Sequence, residues 1–243
     1  MAFVKVQKLN DFFNDHSICI FTDSSFKRNE NCSDSYIGTA APAYSIYHNN
    51  VCIYKGFQLI YDATSVQGEL YAVLLGVQAA GRYQGYQIRL FSDNQTAICS
   101  VRDWIFDWVR ETHDGKQTLG PKGRIKNQPI IMNIIQAIIY NNMPIELYHV
   151  KGHVNIYSAE KMKKAKDVFI ASNYGYFPSD CIDDKLIQAI AIGNNDVDRY
   201  STEMLKMYYQ DRRFSLIEPI RIGYHSFNLA QYRLLVNSRN IYY

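Results

Sequence analysis

Paired cysteines are missing from this sequence. Its five cysteines are odd in number, and no two of them form a Cys-x-x-Cys motif. Neither a disulfide framework nor a zinc knuckle is therefore indicated, and we expect the protein in a reducing compartment, the cytoplasm.

Long apolar runs are missing as well. The most apolar stretch of the later sequence, residues 130–140, is interrupted by Asn133 and Gln136. It is also shorter than the roughly 20 residues that span a bilayer. The N-terminus lacks the apolar core of a signal peptide. We therefore predict a soluble protein with no membrane partner.

Internal repeats, low-complexity linkers and a strong charge of one sign are also absent. The 243 residues are enough to bury a core as one large domain, and an aromatic content of 14% excludes a disordered protein. A count of 26 basic against 23 acidic residues gives a net charge of +3. That excess is compatible with a polyanionic partner but does not require one.

The sequence does contain a short apolar run that ends in an acid. Residues 18–22 are rich in β-branched and aromatic side chains and predict a buried strand, which Asp23 follows. A carboxylate at the mouth of a sheet is costly unless a cation or hydrogen bonds hold it. Alone, Asp23 would be an ordinary turn residue, so its role depends on acids that the fold brings beside it.

A second predicted strand ends in the same way. Residues 87–92 precede Asp93, and if this strand is the parallel neighbour of the first, the two aspartates lie side by side. Between them, residues 63–82 have a helical period, with Glu69 in the first turn beside the apolar stripe. We therefore expect Glu69 to reach the two aspartates.

The other predicted elements follow from period and turn residues. Two β-prone stretches, 38–47 and 51–60, flank a hairpin at residues 48–50, so the first three strands should be antiparallel. The further elements are helices at 95–101, 103–110 and 128–141 and a strand at 145–150.

Residues 154–192 contain a lysine-rich amphipathic piece, a stretch with glycine and proline, and a second helix-like piece. Gly193-Asn194-Asn195 is expected to end its last helix and to cap the next one, residues 196–210. Asp198 would then lie in a first helical turn, where the helix dipole alone also favours an acid, and Asp196 is a rival for its role. The tail, residues 211–243, has no clear period and is expected to dock on the body.

An all-oxygen metal site is the chemistry that these acids predict. Asp23, Glu69, Asp93 and Asp198, with no cysteine and one histidine nearby, suit Mg²⁺ or Mn²⁺ and not zinc. Two such ions about 3.5 to 4 Å apart can bridge a scissile phosphate. The predicted reaction is phosphodiester hydrolysis.

Five motifs, in order, make the sequence resemble the type 1 ribonuclease H family. They are Thr22-Asp23-Ser24-Ser25, Thr64-Ser65-Val66-Gln67-Gly68-Glu69-Leu70, Ser92-Asp93-Asn94, Lys151-Gly152-His153 and Gly193-Asn194-Asn195-Asp196-Val197-Asp198. The resemblance implies an α/β fold, a five-stranded mixed sheet with helices on both faces. It divides the chain into an N-terminal extension (1–16), a ribonuclease H-like domain (17–210, insertion 154–192) and a C-terminal extension (211–243).

The resemblance also implies roles for individual residues. Asp23, Glu69, Asp93 and Asp198 would bind two Mg²⁺ ions, and His153 would assist proton transfer or product departure. For the nucleic acid, Asn29, Thr64 and Asn127 would line a phosphate pocket and Gln95 would face the minor groove. The basic residues that follow Trp104 and Trp108, where the bacterial form has paired tryptophans, would contact phosphates; they are Arg110, Lys122, Arg124 and Lys126.

The implied function is metal-dependent cleavage of the RNA strand of an RNA/DNA hybrid. Ser65-Val66 stands where the family has an Asn-Asn pair that touches the hybrid's minor groove, so a nuclease for structured DNA or double-stranded RNA is an alternative. A catalytically silent nucleic-acid-binding module, with the insertion blocking the cleft, is a second alternative that the four intact acids oppose. The basic group and His153 also have ordinary surface interpretations.

Overall fold

The computed structural model describes residues 16–28, 36–111, 117–120, 125–177, 182–211, 215–216 and 228–236. The strands are β1 (Ser17–Arg28), β2 (Gly38–His48), β3 (Val51–Phe57), β4 (Ile60–Ala63), β5 (Gln87–Ser92), β6 (Val109–Glu111), β7 (Gln117–Leu119) and β8 (Ile145–His149). The helices are α1 (Ser65–Ala80), α2 (Gln95–Arg102), α3 (Ile105–Trp108), α4 (Gln128–Asn141), α5 (Ala159–Ser172), α6 (Asp184–Asp211) and α7 (Leu229–Leu235).

The main sheet is mixed and has the order β3-β2-β1-β5-β8, with β4 also paired to β2. Strands β1, β2 and β3 are antiparallel neighbours, whereas β1, β5 and β8 run parallel. The predicted five-stranded mixed sheet is therefore confirmed. The predicted strand at 51–60 is wrong in one respect, because it is two strands in the structure. Pairing of β3 with β2 stops at Phe57, and β4 then pairs with another part of β2.

Apolar side chains alternate across β1 and divide the core between the two faces of the sheet. Ile18 and Ile20 pack with α1 and α4 on one face. Cys19 and Phe21 pack with α5 and α6 on the other face. This alternation is the period of a strand buried on both sides, and it confirms the expected helices on both faces.

The predicted helix break at Gly193-Asn194-Asn195 is wrong. Helix α6 runs without interruption through these residues, so Asp198 lies in mid-helix and not in a first turn. A Cβ at Gly193 would lie 2.4 Å from the ring of Phe21, and Asn194 is fully buried. Close packing on the sheet thus outweighs the poor helix propensity of these residues, about 1 kcal/mol for glycine.

Two further differences concern short segments. The predicted helix at 103–110 is only the single turn of α3, because the chain from Val109 pairs with β7 as a two-stranded ribbon. In the tail, α7 docks on the body as expected: Tyr232 is fully buried and its hydroxyl donates to the carbonyl oxygen of Val101 at 2.5 Å. Within the described ranges, no helix combines the length and apolar composition that crossing a bilayer requires.

Candidate active site

Two parallel strands and one helix bring three acids to the same edge of the sheet. Thr22 on β1 pairs with Ser92 on β5, so Asp23 and Asp93 follow side by side. Helix α1 begins at Ser65, and the side chain of the preceding residue, Thr64, forms a capping box with Gln67. Glu69 therefore lies in the second turn of α1, not in the first as predicted. One carboxylate oxygen each from Asp23, Glu69 and Asp93 lies within 4.8 Å of the others.

These three carboxyl groups disfavour one another's charge. Burial, and next the charge of Asp93, raise the pKa of Asp23 to about 7. Burial and the neighbouring Asp23 and Asp93 raise the pKa of Glu69 well above its usual range. Burial also raises the pKa of Asp93, although a hydrogen bond from Asn194 opposes the shift. A cation in their midst would remove this mutual repulsion.

Glu69 supplies a second indication that the site fits a cation. Its Oε2 atom is buried and has no hydrogen-bond partner among the described residues. A buried carboxylate oxygen without a partner is costly unless a ligand satisfies it. Three convergent carboxylates with a free buried oxygen are the donor set that Mg²⁺ or Mn²⁺ prefers, and they fit the ions that the sequence predicts.

Asp198 lies at the margin of this group. It is not one of the three acids whose oxygens lie within 4.8 Å of one another. Its charge nevertheless contributes, as a smaller cause, to the raised pKa values of the other three. Its Oδ2 lies 3.1 Å from Nδ1 of His153, whose side chain is 79% exposed. The structure therefore joins Asp198 and His153 as a pair beside the three buried acids.

The rival acid, Asp196, is engaged elsewhere. It accepts hydrogen bonds from the hydroxyl of Tyr47 at 2.6 Å and from Nζ of Lys55 at 2.7 Å, and Arg199 also pairs with it. Burial alone would raise the pKa of Asp196, but these donors lower it below its usual value. Asp196 thus ties α6 to β2 and β3 and is not one of the three grouped acids.

Sequence reasoning missed three polar residues that contact the acids. The hydroxyl of Ser201 donates to Oδ2 of Asp23 at 2.9 Å, and Nδ2 of Asn194 donates to Oδ2 of Asp93 at 3.4 Å. Nε2 of His149 lies 3.1 Å from the carbonyl oxygen of Asp93, and burial lowers the pKa of His149 below its usual value. The α-helical spacing of 194, 198 and 201, one face of a continuous α6, would have revealed two of them.

A groove of about 870 Å³ contains several of the predicted nucleic-acid contacts. Thr64, Lys126 and Asn127 line it together. Asn127 makes no capping hydrogen bond with its side chain, so its amide is not used by α4. Gln95 is exposed at the start of α2, next to Thr96 in the groove wall. Asn29, Lys122 and Arg124 lie outside the described residues, as does the side chain of Arg110.

Aromatic side chains form much of the groove wall. Trp104 and Trp108 both line it, with their ring centroids 5.8 Å apart, and Trp104 is 40% exposed. Ser65 and Val66, at the start of α1, line the same groove. The two residues that depart from the family pattern therefore face the same space as the tryptophans.

Comparison with protein families identifies the domain. The model of the RNase H family, described as RNase H, matches residues 13–166, more than half of the chain. The chain belongs to the RNase H family. The family resemblance and the enzyme class predicted from the motifs, ribonuclease H, are thereby confirmed. A sequence search of curated proteins finds no match.

Solved structures of RNase H proteins are similar to parts of the chain. LC9-RNase H1, a type 1 RNase H with the type 2 active-site motif, is 15% identical over 65% of this chain and 74% of its own, with a TM-score of 0.46. The PFV RNase H domain is 15% identical over 67% of this chain and 98% of its own, with a TM-score of 0.47. RNase H1 from the halophilic archaeon Halobacterium salinarum NRC-1 is 17% identical over 56% of this chain and 86% of its own, with a TM-score of 0.37.

Proposed function

We propose that this chain hydrolyses the RNA strand of RNA/DNA hybrids as an endonuclease that uses two divalent cations, Mg²⁺ or alternatively Mn²⁺. The observation that carries the proposal is the convergence of Asp23, Glu69 and Asp93 within 4.8 Å, in a chain that belongs to the RNase H family. Asp198, whose charge reaches the same three acids, completes the proposed ligand set.

The proposed roles follow from where each group lies. Asp23, Glu69, Asp93 and Asp198 hold the cations, and the unpartnered Oε2 of Glu69 is free to bind one of them. When bound, two such ions activate a water molecule and stabilise the leaving oxygen of a phosphodiester. The exposed imidazole of His153, oriented by Asp198, exchanges protons with the reacting groups at the open side of the site. The products are 5′-phosphate and 3′-hydroxyl ends.

The groove is the proposed binding surface for the duplex. Thr64, Lys126 and Asn127 present a hydroxyl, an ammonium and an amide, and each of these groups can donate to phosphate oxygens. Trp104 and Trp108 offer flat apolar surfaces for sugars or bases. Gln95, exposed beside the groove, is the proposed minor-groove contact, where 2′-hydroxyls distinguish RNA from DNA. The proposed partner is therefore a hybrid duplex.

One observation favours a different substrate. Val66 lines the groove and has no side-chain donor or acceptor, whereas the family pattern places an amide there. Loss of that contact would weaken discrimination between hybrid and other duplexes, so double-stranded RNA or structured DNA is the second candidate substrate. A silent binding module is opposed by the three convergent carboxylates, which a purely binding protein does not need.

Cleavage assays with labelled hybrid, RNA duplex and DNA duplex in Mg²⁺ test the proposal. We expect the hybrid to be cut, and Asp93→Asn to lower the rate by at least about a hundredfold because a proposed cation ligand is lost. Asp198→Asn should also lower the rate. The matched control is Asp196→Asn, an identical change on the same helix, which should retain cleavage.

Each other result selects an alternative. Cleavage of RNA duplex or DNA duplex in preference to hybrid would make the second candidate correct. Binding without any cleavage would establish the silent module. A fall in rate for Asp196→Asn but not for Asp198→Asn would reverse the roles of these two acids.

The cellular location is proposed from the cysteines. Cys19, Cys52 and Cys99 are free thiols, and this state persists in a reducing compartment such as the cytoplasm. Fractionation of cells that produce the full chain, followed by immunoblotting, would test the location.

A further inference from the structure

Helix α5 belongs to the segment 154–192, which separates the Lys-Gly-His motif from the Gly-Asn motif, and the match to the RNase H family model ends within this helix, at residue 166. Its C-terminal end lies against the last residue of β8, beside Asp93. We propose that this end of α5, which lies beyond the match to the family model, positions Asp93 through His149 and so takes part in building the active site. The inference rests on the proposed function, because Asp93 is taken as a metal ligand.

The main chain of His149 is held by a side chain from the end of α5. Nδ2 of Asn173 donates to the carbonyl oxygen of His149 at 2.8 Å, and the N–H of His149 donates to Oδ1 of Asn173 at 3.1 Å. Asn173 is 1% exposed. It thus occupies the place that a neighbouring strand would take beside β8, the last strand in the order of the sheet.

The ring of His149 connects α5 to Asp93 in one defined tautomer. Nε2 lies 3.1 Å from the carbonyl oxygen of Asp93, which can only accept, so Nε2 carries the hydrogen. In the neutral ring Nδ1 is then an acceptor, and the hydroxyl of Ser172, 2.9 Å away, donates to it. The chain of hydrogen bonds runs from Ser172 through the ring to the main chain of Asp93.

A buried arginine fixes the end of α5 that supplies these contacts. Arg102, 3% exposed, donates to the carbonyl oxygen of Ser172 at 2.9 Å and to Oδ1 of Asn173 at 2.9 Å. It also donates to the carbonyl oxygen of Leu147 in β8 at 3.0 Å. Arg102 is the last residue of α2, the helix that begins just after Asp93. The elements on both sides of Asp93 are therefore joined to α5.

The bond from His149 bears on the direction of the Asp93 carboxylate. The carbonyl that it holds belongs to the peptide unit between Asp93 and Asn94, so it restrains ψ of Asp93 and with it the direction of the Cα–Cβ bond that carries the carboxylate. A ligand for a metal must be held to within about 0.5 Å for the site to work. Partners of this kind, behind a metal ligand, typically change metal affinity or activity by about 10- to 100-fold when removed.

An ordinary structural role for this cluster makes a different prediction. If Ser172 and His149 only stabilise the fold, losing the hydroxyl lowers the melting temperature and leaves metal binding unchanged. Helix α5 offers a matched control at its other end, because Ser158 caps the helix by accepting from the N–H of Lys161. Ser158→Ala removes the same hydroxyl from the same helix without touching His149.

The experiment uses the full chain with Ser172→Ala, Ser172→Thr and Ser158→Ala. The first measurement is the Mg²⁺ concentration that half-saturates the full chain in a calorimetric titration, and it needs no activity. We expect Ser172→Ala to raise this concentration about tenfold and to lower kcat for hybrid about tenfold, with KM unchanged. Ser172→Thr keeps the hydroxyl and should restore both values. Ser158→Ala should lower the melting temperature by about 2 to 4 °C and change neither value.

A second pair of variants keeps the test decisive if Ser172→Ala folds poorly. His149→Gln retains a side-chain N–H donor and should keep a lower half-saturating Mg²⁺ concentration than His149→Leu, which has none. The nitrogen spectrum of His149 in the unaltered protein should show a hydrogen on Nε2 and none on Nδ1.

The proposal is overturned if Ser172→Ala matches Ser158→Ala in its Mg²⁺ dependence and kcat, or if the hydrogen is found on Nδ1. If the unaltered protein binds Mg²⁺ but cuts no hybrid, the proposed function fails. The shift in Mg²⁺ dependence for Ser172→Ala would in that case still support the positioning of Asp93.

Discussion

Ser201 donates its hydroxyl hydrogen to Oδ2 of Asp23 at 2.9 Å, although the two residues are 178 positions apart in the chain. The same hydrogen is shared with the carbonyl oxygen of Asp198, also 2.9 Å from the hydroxyl. Ser201 is fully buried on α6, and Asp23 lies at the end of the buried part of β1. The bond favours the ionised carboxylate and so opposes burial and the charge of Asp93, which raise the pKa of Asp23 to about 7. It also directs Oδ2 of Asp23 toward α6.

Ser201→Ala should therefore move the pH dependence of cleavage toward alkaline pH. Loss of a hydrogen bond to a charged group costs about 1.5 kcal/mol, which corresponds to about one pH unit. We expect the rising limb of the pH–rate profile to shift upward by about one unit, so that the rate at pH 7 falls several-fold and recovers near pH 9. Rates measured from pH 5.5 to 9.5 at a Mg²⁺ concentration well below saturation, where the proton competes with the cation for Asp23, would show this shift.

Ser45→Ala is the matched control for that change. The hydroxyl of Ser45 is buried on β2 without a hydrogen-bond partner among the described residues. Its removal costs no hydrogen bond, so the profile should not move. A profile of Ser201→Ala that keeps its midpoint and loses rate equally at every pH would contradict the role given to Ser201.

The stability of the metal-free protein should depend on pH through the same acids. Asp23 has a pKa of about 7 when folded, against an ordinary value of 3.8. The folded state thus holds an extra proton between these values, and its stability falls as the pH rises from about 4 through 7. Because Glu69 and Asp93 shift in the same direction, we expect the free energy of unfolding to drop by on the order of 2 kcal/mol between pH 5 and pH 8.

Thermal unfolding in a chelator at the two pH values would measure this drop, about 5 °C in melting temperature for a chain of this size. Mg²⁺ should reverse it at pH 8, and Asp23→Asn should reduce the pH dependence. A metal-free protein that melts higher at pH 8 than at pH 5 would show that these carboxyl groups do not repel one another.

The elements that carry Asp23 and Asp93 could be predicted because their signals are local. Each strand is a short apolar run followed by an acid, and the rule that parallel strands end at the same edge places the acids together. The fate of Gly193 could not be predicted in this way. Its small size and its neighbours Asn194 and Asn195 are a local signal to stop a helix, but the contact of Gly193 with Phe21 is tertiary and prevails.

The supporting contacts were beyond prediction for a similar reason. His149 is a polar residue at the end of an apolar strand. No local sequence pattern predicts that its partner is Ser172, 23 residues later. Ser201 differs, because its spacing from Asp198 puts both on one helical face once α6 is known to be continuous. Because the predicted helix began only at residue 196, the contact of Ser201 with Asp23 was not predicted.

Gly152→Ala should disable the site without unfolding the protein. A Cβ at Gly152 would lie 2.1 Å from Oδ2 of Asp93, closer than any real contact, so the carboxylate must move. We expect a fall in kcat of about a hundredfold, because a misplacement of about 1 Å in the site moves the proposed cation ligand out of position. Steady-state cleavage of hybrid, with the melting temperature measured in parallel, would test it.

Gly175→Ala separates this effect from simple destabilisation. Gly175 has a φ of +77° and no atom within 4 Å of an added Cβ, so alanine there strains the backbone without a collision. It should cost about 1 kcal/mol of stability and leave kcat intact. Equal losses of activity in both variants would mean that Gly152 acts through the fold and not through Asp93.

Val66→Asn should raise the preference for hybrid over RNA duplex. Val66 lines the groove beside Ser65, at the position where the family pattern has an amide that touches the minor groove. An amide adds a donor and an acceptor that an apolar side chain lacks, and one hydrogen bond of about 1.4 kcal/mol is worth about tenfold in specificity. The measurement is the ratio of kcat/KM for hybrid to that for RNA duplex.

Val66→Ala is the control, because it loses the same partly buried packing against the core without gaining a hydrogen-bonding group. We expect it to lower kcat/KM for both duplexes alike and to leave their ratio unchanged. If Val66→Asn also leaves the ratio unchanged, this end of α1 does not read the minor groove. Discrimination between duplexes must then come from residues elsewhere along the groove, with Gln95 at its edge as the next position to vary.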